Sequence, residues 1–97
     1  MVARQYALVA DVSSADPAAI EPLLHRLVGG EITPIADGFH VRATLSGERA
    51  ADLNRSLLSA LRRVERRTRI RSAWTADGIT ERFFDYVSKG MRPAPPK

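Results

Sequence analysis

The chain has no cysteine, only two lysines and two histidines, and six aromatic residues in 97. Without cysteine there is no disulfide framework, no thiolate nucleophile and no cysteine-bound zinc, and a cytoplasmic location is the expectation. No stretch approaches the roughly 20 apolar residues of a membrane-spanning helix, so no membrane association is expected. The opening MVARQYALVADV breaks at Asp11 and lacks the long apolar region and small-residue cleavage site of a signal peptide. GxGxxG, Walker and GxSxG patterns are missing, and Ser13, Ser14, Ser56 and Ser59 have no base near them in sequence, so no cofactor is expected and the chain does not read as an enzyme. His25 and His40 stand at no ligand spacing with each other or with a carboxylate pair. Each reads as a structural histidine with a satisfied hydrogen bond, and no metal is expected.

Arginine is abundant. Thirteen of the fifteen basic residues are arginine, and the net charge is +4. From Met1 to Leu61 five basic residues face seven acidic ones, net −2; from Arg62 to Lys97 ten face four, net +6. GC-rich codon usage produces the same arginine and alanine bias without any function. Clustered cations also raise the local potential and favour counterion release on binding, which points to an acidic macromolecule. Arg62, Arg63, Arg66, Arg67, Arg69 and Arg71 fall within ten residues, with Glu65 as the single acid among them.

The length fits one domain, expected over 1–90, with a flexible proline-rich tail over 91–97. Gln5 to Val12 alternates as a central strand. Ser13, Ser14 and Asp16 carry helix-start chemistry, Pro17 suits the first helical position, and Ile20, Leu23, Leu24 and Leu27 make an apolar stripe. Gly29 and Gly30 are expected to end that helix in a left-handed conformation. Glu31 to Ala36, with Pro34, reads as an edge strand, and Asp37-Gly38 as a type I′ turn into a strand over Phe39 to Leu45. Glu48 to Arg66 reads as the longest helix, on a spine of Leu53, Leu57, Leu61 and Val64. Thr68 to Thr75 is a strand, Asp77-Gly78 a second hairpin turn, and Ile79 to Val87 the return strand, with a helix as its rival reading. The order predicts an α+β, ferredoxin-like split βαβ (βαββαβ) fold: an antiparallel sheet, two helices on one face and an extra C-terminal strand.

The other face of such a sheet would present Ala7, Val9, Asp11, His40, Arg42, Arg69, Arg71, Arg82, Phe84 and Tyr86. Cations interleaved with rings suit single-stranded nucleic acid, because guanidinium groups meet phosphates and rings stack on bases. The leading expectation is a non-enzymatic protein that contacts nucleic acid, or another acidic macromolecule, through Arg55, Arg62, Arg63, Arg66, Arg67, Arg69, Arg71 and Arg82. The alternative is a homodimer or scaffold subunit docking through the open face and an interface of Phe83, Phe84 and Tyr86. A dimeric barrel enclosing a small ligand, lined by Val9, His40 and Tyr86, is a further reading. The run YALVADVSSAD, with Asp11 closing the first strand, resembles the start of the small CRISPR-associated ferredoxin-like endonucleases. That resemblance implies a metal-dependent nuclease with Asp11 at its centre; the basic run that follows the aspartate in that family is missing here.

Overall fold

Alternation in the first strand sets up a sheet with one dry face and one wet face. In the computed structural model, which describes residues 3–93, β1 (Arg4–Ser13) buries Tyr6, Leu8, Ala10 and Val12 and exposes Gln5, Ala7, Val9 and Asp11. After it come α1 (Pro17–Leu27), β2 (Glu31–Ile35), β3 (Gly38–Gly47), α2 (Ala50–Val64), β4 (Arg69–Ala76), β5 (Ile79–Phe84) and β6 (Val87–Pro93). The fold is α+β: six strands form one antiparallel sheet in the order β2-β3-β1-β4-β5-β6, accompanied by two helices. That is two strands beyond the four of a ferredoxin-like sheet. No helix among the described residues is long and apolar enough to cross a membrane.

Ile20 and Leu24 of α1, Val28 just after it, and Leu57, Leu58 and Leu61 of α2 pack into a core that includes Phe39, Val41, Ile70, Trp74 and Phe83. Tyr6 meets Trp74 edge to face, with ring centroids 6.4 Å apart at 84°, an arrangement the ring quadrupoles favour. Beneath α2, a buried polar cluster interrupts this apolar layer. Asn54 Oδ1 accepts hydrogen bonds from Ser72 Oγ (2.6 Å) and Trp74 Nε1 (3.3 Å), and Asn54 Nδ2 donates to the Asp85 carbonyl (2.7 Å). Every buried side-chain polar atom among the described residues has a partner, as a core of low dielectric requires.

Three turn readings change. The first hairpin closes at Ile35↔Gly38, so its central residues are Ala36 and Asp37, and neither has a positive φ. Gly38 is a strand residue required by space: a Cβ there would lie 1.8 Å from the Val12 carbonyl oxygen. Gly29 and Gly30 do not end α1 in a left-handed conformation either. The helix stops at an extended Val28, and a Cβ on Gly30 would lie 2.1 Å from the Arg42 carbonyl oxygen.

The third change is larger. Asp77-Gly78 makes the expected turn, with φ of 54° and 75°, but the return strand does not run on to Val87. It stops at Phe84, and a further hairpin over Asp85 and Tyr86, with Asp85 at φ 54°, starts β6. Aspartate tolerates the left-handed region because its side chain can bond locally. In β6 the pairing shifts between Arg82↔Gly90 and Phe83↔Ser88, leaving Lys89 as the extra residue of a bulge. Met91–Pro93, expected in the flexible tail, belong to this strand; residues 94–97 of that tail lie outside the described region.

Candidate functional site

Register decides what meets on the wet face. The pairings His40↔Asp11, Asp11↔Arg71 and Arg71↔Phe84 set four side chains in a row across β3, β1, β4 and β5. The next row is Arg42, Val9, Ala73 and Arg82. Val9 and Ala73 are small beside their neighbours, so the face dips there. The resulting hollow of about 360 Å³ is lined by Val9, Asp11, His40, Ala73, Arg71, Arg82, Phe84 and Lys89, among others. Ion pairs among the described residues involve none of Arg71, Arg82 and Lys89. The guanidinium groups of Arg69 and Arg71 lie 4.8 and 5.4 Å from the Phe84 ring centroid, within cation–π range.

Within the hollow, His40 Nδ1 and Asp11 Oδ1 are 2.7 Å apart. A carboxylate only accepts, so the imidazole hydrogen sits on Nδ1 and Nε2 is turned away from Asp11. The fold brings together no cluster of three metal-ligating side chains among the described residues. His25 is elsewhere, on the exposed side of α1, 3.6 Å from Glu21.

The arginines of the central run do not form one patch. Arg55 and Arg63 lie on the outer surface of α2, where Arg55 is 3.9 Å from Asp52, and Arg66 and Arg67 are exposed in the turn after it. Arg62 is drawn inward: Nε donates to the Thr68 carbonyl at 2.8 Å, and Nη2 is 3.6 Å from Asp85. Of the eight arginines expected to bind an acidic partner, Arg69, Arg71 and Arg82 reach the wet face of the sheet. Of these, Arg69 is committed to Asp85, donating to Oδ2 from Nε and Nη2 at 3.1 and 3.0 Å. Asp85 Oδ1 also accepts from the Ile70 amide at 3.0 Å, so this single carboxylate at the sheet's end holds a guanidinium from each side and a strand amide.

The aromatic assignments divide as well. Phe83 is buried, 4% exposed, against the helices, because odd-numbered positions of β5 face the core. Tyr86 is displaced from the wet face by the Asp85 turn. Its hydroxyl is 3.0 Å from Ser59 Oγ and its ring lies under the Arg62 guanidinium at 5.1 Å. Phe84 alone of the three remains on the face with Arg71. Sequence reasoning missed Lys89, which the β6 bulge brings to the hollow, and the Asp11–His40 contact, which needs the β1–β3 register.

Glu65 has a different task from neutralising its neighbours. Its carboxylate accepts from the Arg67 amide (3.1 Å), the Ala15 amide (3.1 Å) and Ser14 Oγ (3.2 Å), tying the β1–α1 connection to the end of α2. The Arg67 amide hydrogen bond foremost, with those of Ala15 and Ser14 and the Arg67 charge, holds its pKa below the ordinary 4.5 against a smaller upward push from desolvation. A depressed carboxylate contributes stability that is present above its unfolded pKa and is lost as pH falls through the folded value. Acid titration of Glu65→Gln should therefore show a flatter loss of stability below pH 4.5 than the native chain. Parallel acid unfolding curves for the two would show that the tether does not form.

The chain matches no protein-family model, no curated protein and no solved structure.

Proposed function

We propose that the protein binds single-stranded nucleic acid across the wet face of its sheet, with Arg71, Arg82 and Lys89 on phosphates and Phe84 beside a base. The observation that supports this reading is the convergence of three cations, none of them ion-paired among the described residues, on a mostly apolar hollow that also holds an aromatic edge. Phosphates supply the missing counter-charges, and the apolar floor of Val9 and Ala73 accommodates a base or sugar. Docking of a second copy through the same face would instead bury those cations against one another, an arrangement opposed by desolvation and like-charge repulsion. The reading carries a view of the scaffold too: we take β1, α1, β2, β3, α2 and β4 as a split βαβ unit, extended by the β5–β6 hairpin that brings in Arg82, Phe84 and Lys89.

Contacts of this kind show little sequence preference and strong salt dependence. For three phosphates neutralised on a single strand, the slope of log K against log salt should be about −2. Fluorescence anisotropy with labelled, mixed-sequence oligonucleotides should show binding at low salt. It should also show that Arg71→Glu with Arg82→Glu weakens it at least tenfold for unrelated sequences, while Arg55→Glu with Arg63→Glu, on α2, has a much smaller effect. Absence of binding at low salt, or a larger loss from the α2 pair, would overturn the assignment to this face.

A further inference from the structure

We infer that the hollow on the sheet also cleaves RNA without a metal ion, with His40 as the general base; this rests on the binding reading above. The dyad and the cations are walls of one depression: Asp11, His40, Arg71, Arg82 and Lys89 all line it. Asp11 lies between His40 and Arg71 in the cross-strand row. The strands carrying His40 and Arg71 are therefore two sheet spacings apart, about 10 Å, which leaves room for a phosphodiester between the imidazole and the Arg71 guanidinium beside Phe84. His40 is pinned by its 2.7 Å contact with Asp11, which fixes the ring orientation and leaves Nε2 to act on a bound molecule. A carboxylate that orients an imidazole also stabilises the cation formed when that imidazole takes a proton.

A ribose 2′-hydroxyl beside the phosphate is the group in the proposed ligand class that such a base can activate. His40 Nε2 takes the 2′-hydroxyl proton as the 2′-oxygen forms a bond to phosphorus. The bond from phosphorus to the 5′-oxygen breaks, and that oxygen leaves as a hydroxyl after taking a proton from water. The products are a 2′,3′-cyclic phosphate and a 5′-hydroxyl end, and the proton on His40 returns to solvent. Negative charge grows on the phosphoryl oxygens as phosphorus becomes five-coordinate, so Arg71 and Arg82 bind that state more strongly than the ground state. His40 is the catalytic residue in this scheme and Asp11 the positioning residue. The hydrolysis of DNA is outside its reach, because DNA has no 2′-hydroxyl.

The test is a single-turnover incubation of the full chain, in excess over a labelled RNA oligonucleotide and separately over its DNA counterpart, in EDTA, with binding followed in the same tubes by anisotropy. RNA should be converted to fragments whose masses carry a 2′,3′-cyclic phosphate, and DNA should stay intact. His40→Gln, purified identically, should cut at least about 100-fold more slowly, the scale of a lost general base. Asp11→Asn should slow the reaction and move its pH–rate profile, which a purely structural loss would leave in place. RNA bound but uncut would sink this inference and leave the binding reading standing. Cutting by His40→Gln at the native rate, or cutting only when a divalent metal is added, would equally overturn it. No binding of either oligonucleotide at low salt would remove both readings together.

Discussion

Asn54→Leu should lower the stability of the domain by about 3 kcal/mol, and its Tm by about 15 °C, although leucine is the more apolar residue and the site is 1% exposed. The reason lies in what is left behind. Asn54 Oδ1 is the acceptor for both Ser72 and Trp74, and its Nδ2 is the donor to the Asp85 carbonyl. A leucine removes all three bonds and leaves a hydroxyl, a carbonyl and part of an indole N–H demand unmet in a dry layer, each costing about 1–3 kcal/mol. Trp74 Nε1 retains its 3.1 Å bond to Ser72 Oγ, which limits the loss. Chemical denaturation should also show that the effects of Asn54→Leu and Ser72→Ala do not simply add, because either change alone leaves Trp74 Nε1 one acceptor and the pair leaves it none. Additive effects would mean that the cluster does not act as a unit. The change should further loosen the Asp85 hairpin, since the Asn54 bond to the Asp85 carbonyl is what links that turn to α2.

Gly38→Ala should be as damaging or worse, about 4 kcal/mol or more, by a wholly different route. The nearest atoms to a Cβ at this position are the Val12 carbonyl oxygen at 1.8 Å, the Val12 carbonyl carbon at 2.8 Å and Ser13 Cα at 2.9 Å. All three are backbone atoms of the neighbouring central strand, so no rotamer change relieves the overlap; the Ser13↔Gly38 end of the β1–β3 ladder has to open. Losses of that size are exceptional for a single methyl group and come from a clash that cannot relax. Gly78→Ala is the natural comparison, because nothing lies within 4 Å of its Cβ position and only its φ of 75° opposes the change. That substitution should cost about 1 kcal/mol. Equal Tm shifts for the two variants would show that conformation rather than space governs both sites.

Much of the fold can be read from periodicity. The period-two burial of β1 and the apolar stripes of both helices locate the core because each element packs on one side only. The Asp77-Gly78 turn is readable because its geometry demands residues that accept a positive φ. Gly38 shows the limit of that logic: a glycine required for close approach looks the same in sequence as one required for its backbone angle. β6 gives no periodic signal at all, since all seven of its residues are exposed, and without it the reversal at Asp85 cannot be anticipated. That reversal takes Tyr86 off the face on which an unbroken strand would place it. The arginine run misleads for a related reason. Six guanidinium groups adjacent in sequence pass through a helix end, a turn and a strand, and the chain delivers them to opposite sides of the sheet. The Asp11–His40 contact joins strands separated by α1 and β2, so only the register reveals it.

The two margins of the sheet have a consequence for how the protein behaves at high concentration. At one margin Pro34, in β2, has no amide hydrogen to offer. At the other, the Lys89 bulge and Pro93 break up β6, with Gly90 at φ 110° turning the backbone locally. An incoming extended chain from another molecule thus finds an interrupted ladder of donors and acceptors on either flank, and at one of them a positive charge as well. Growth of the sheet from molecule to molecule, the first step toward fibrils, is impeded from both ends by features that contribute little to the core.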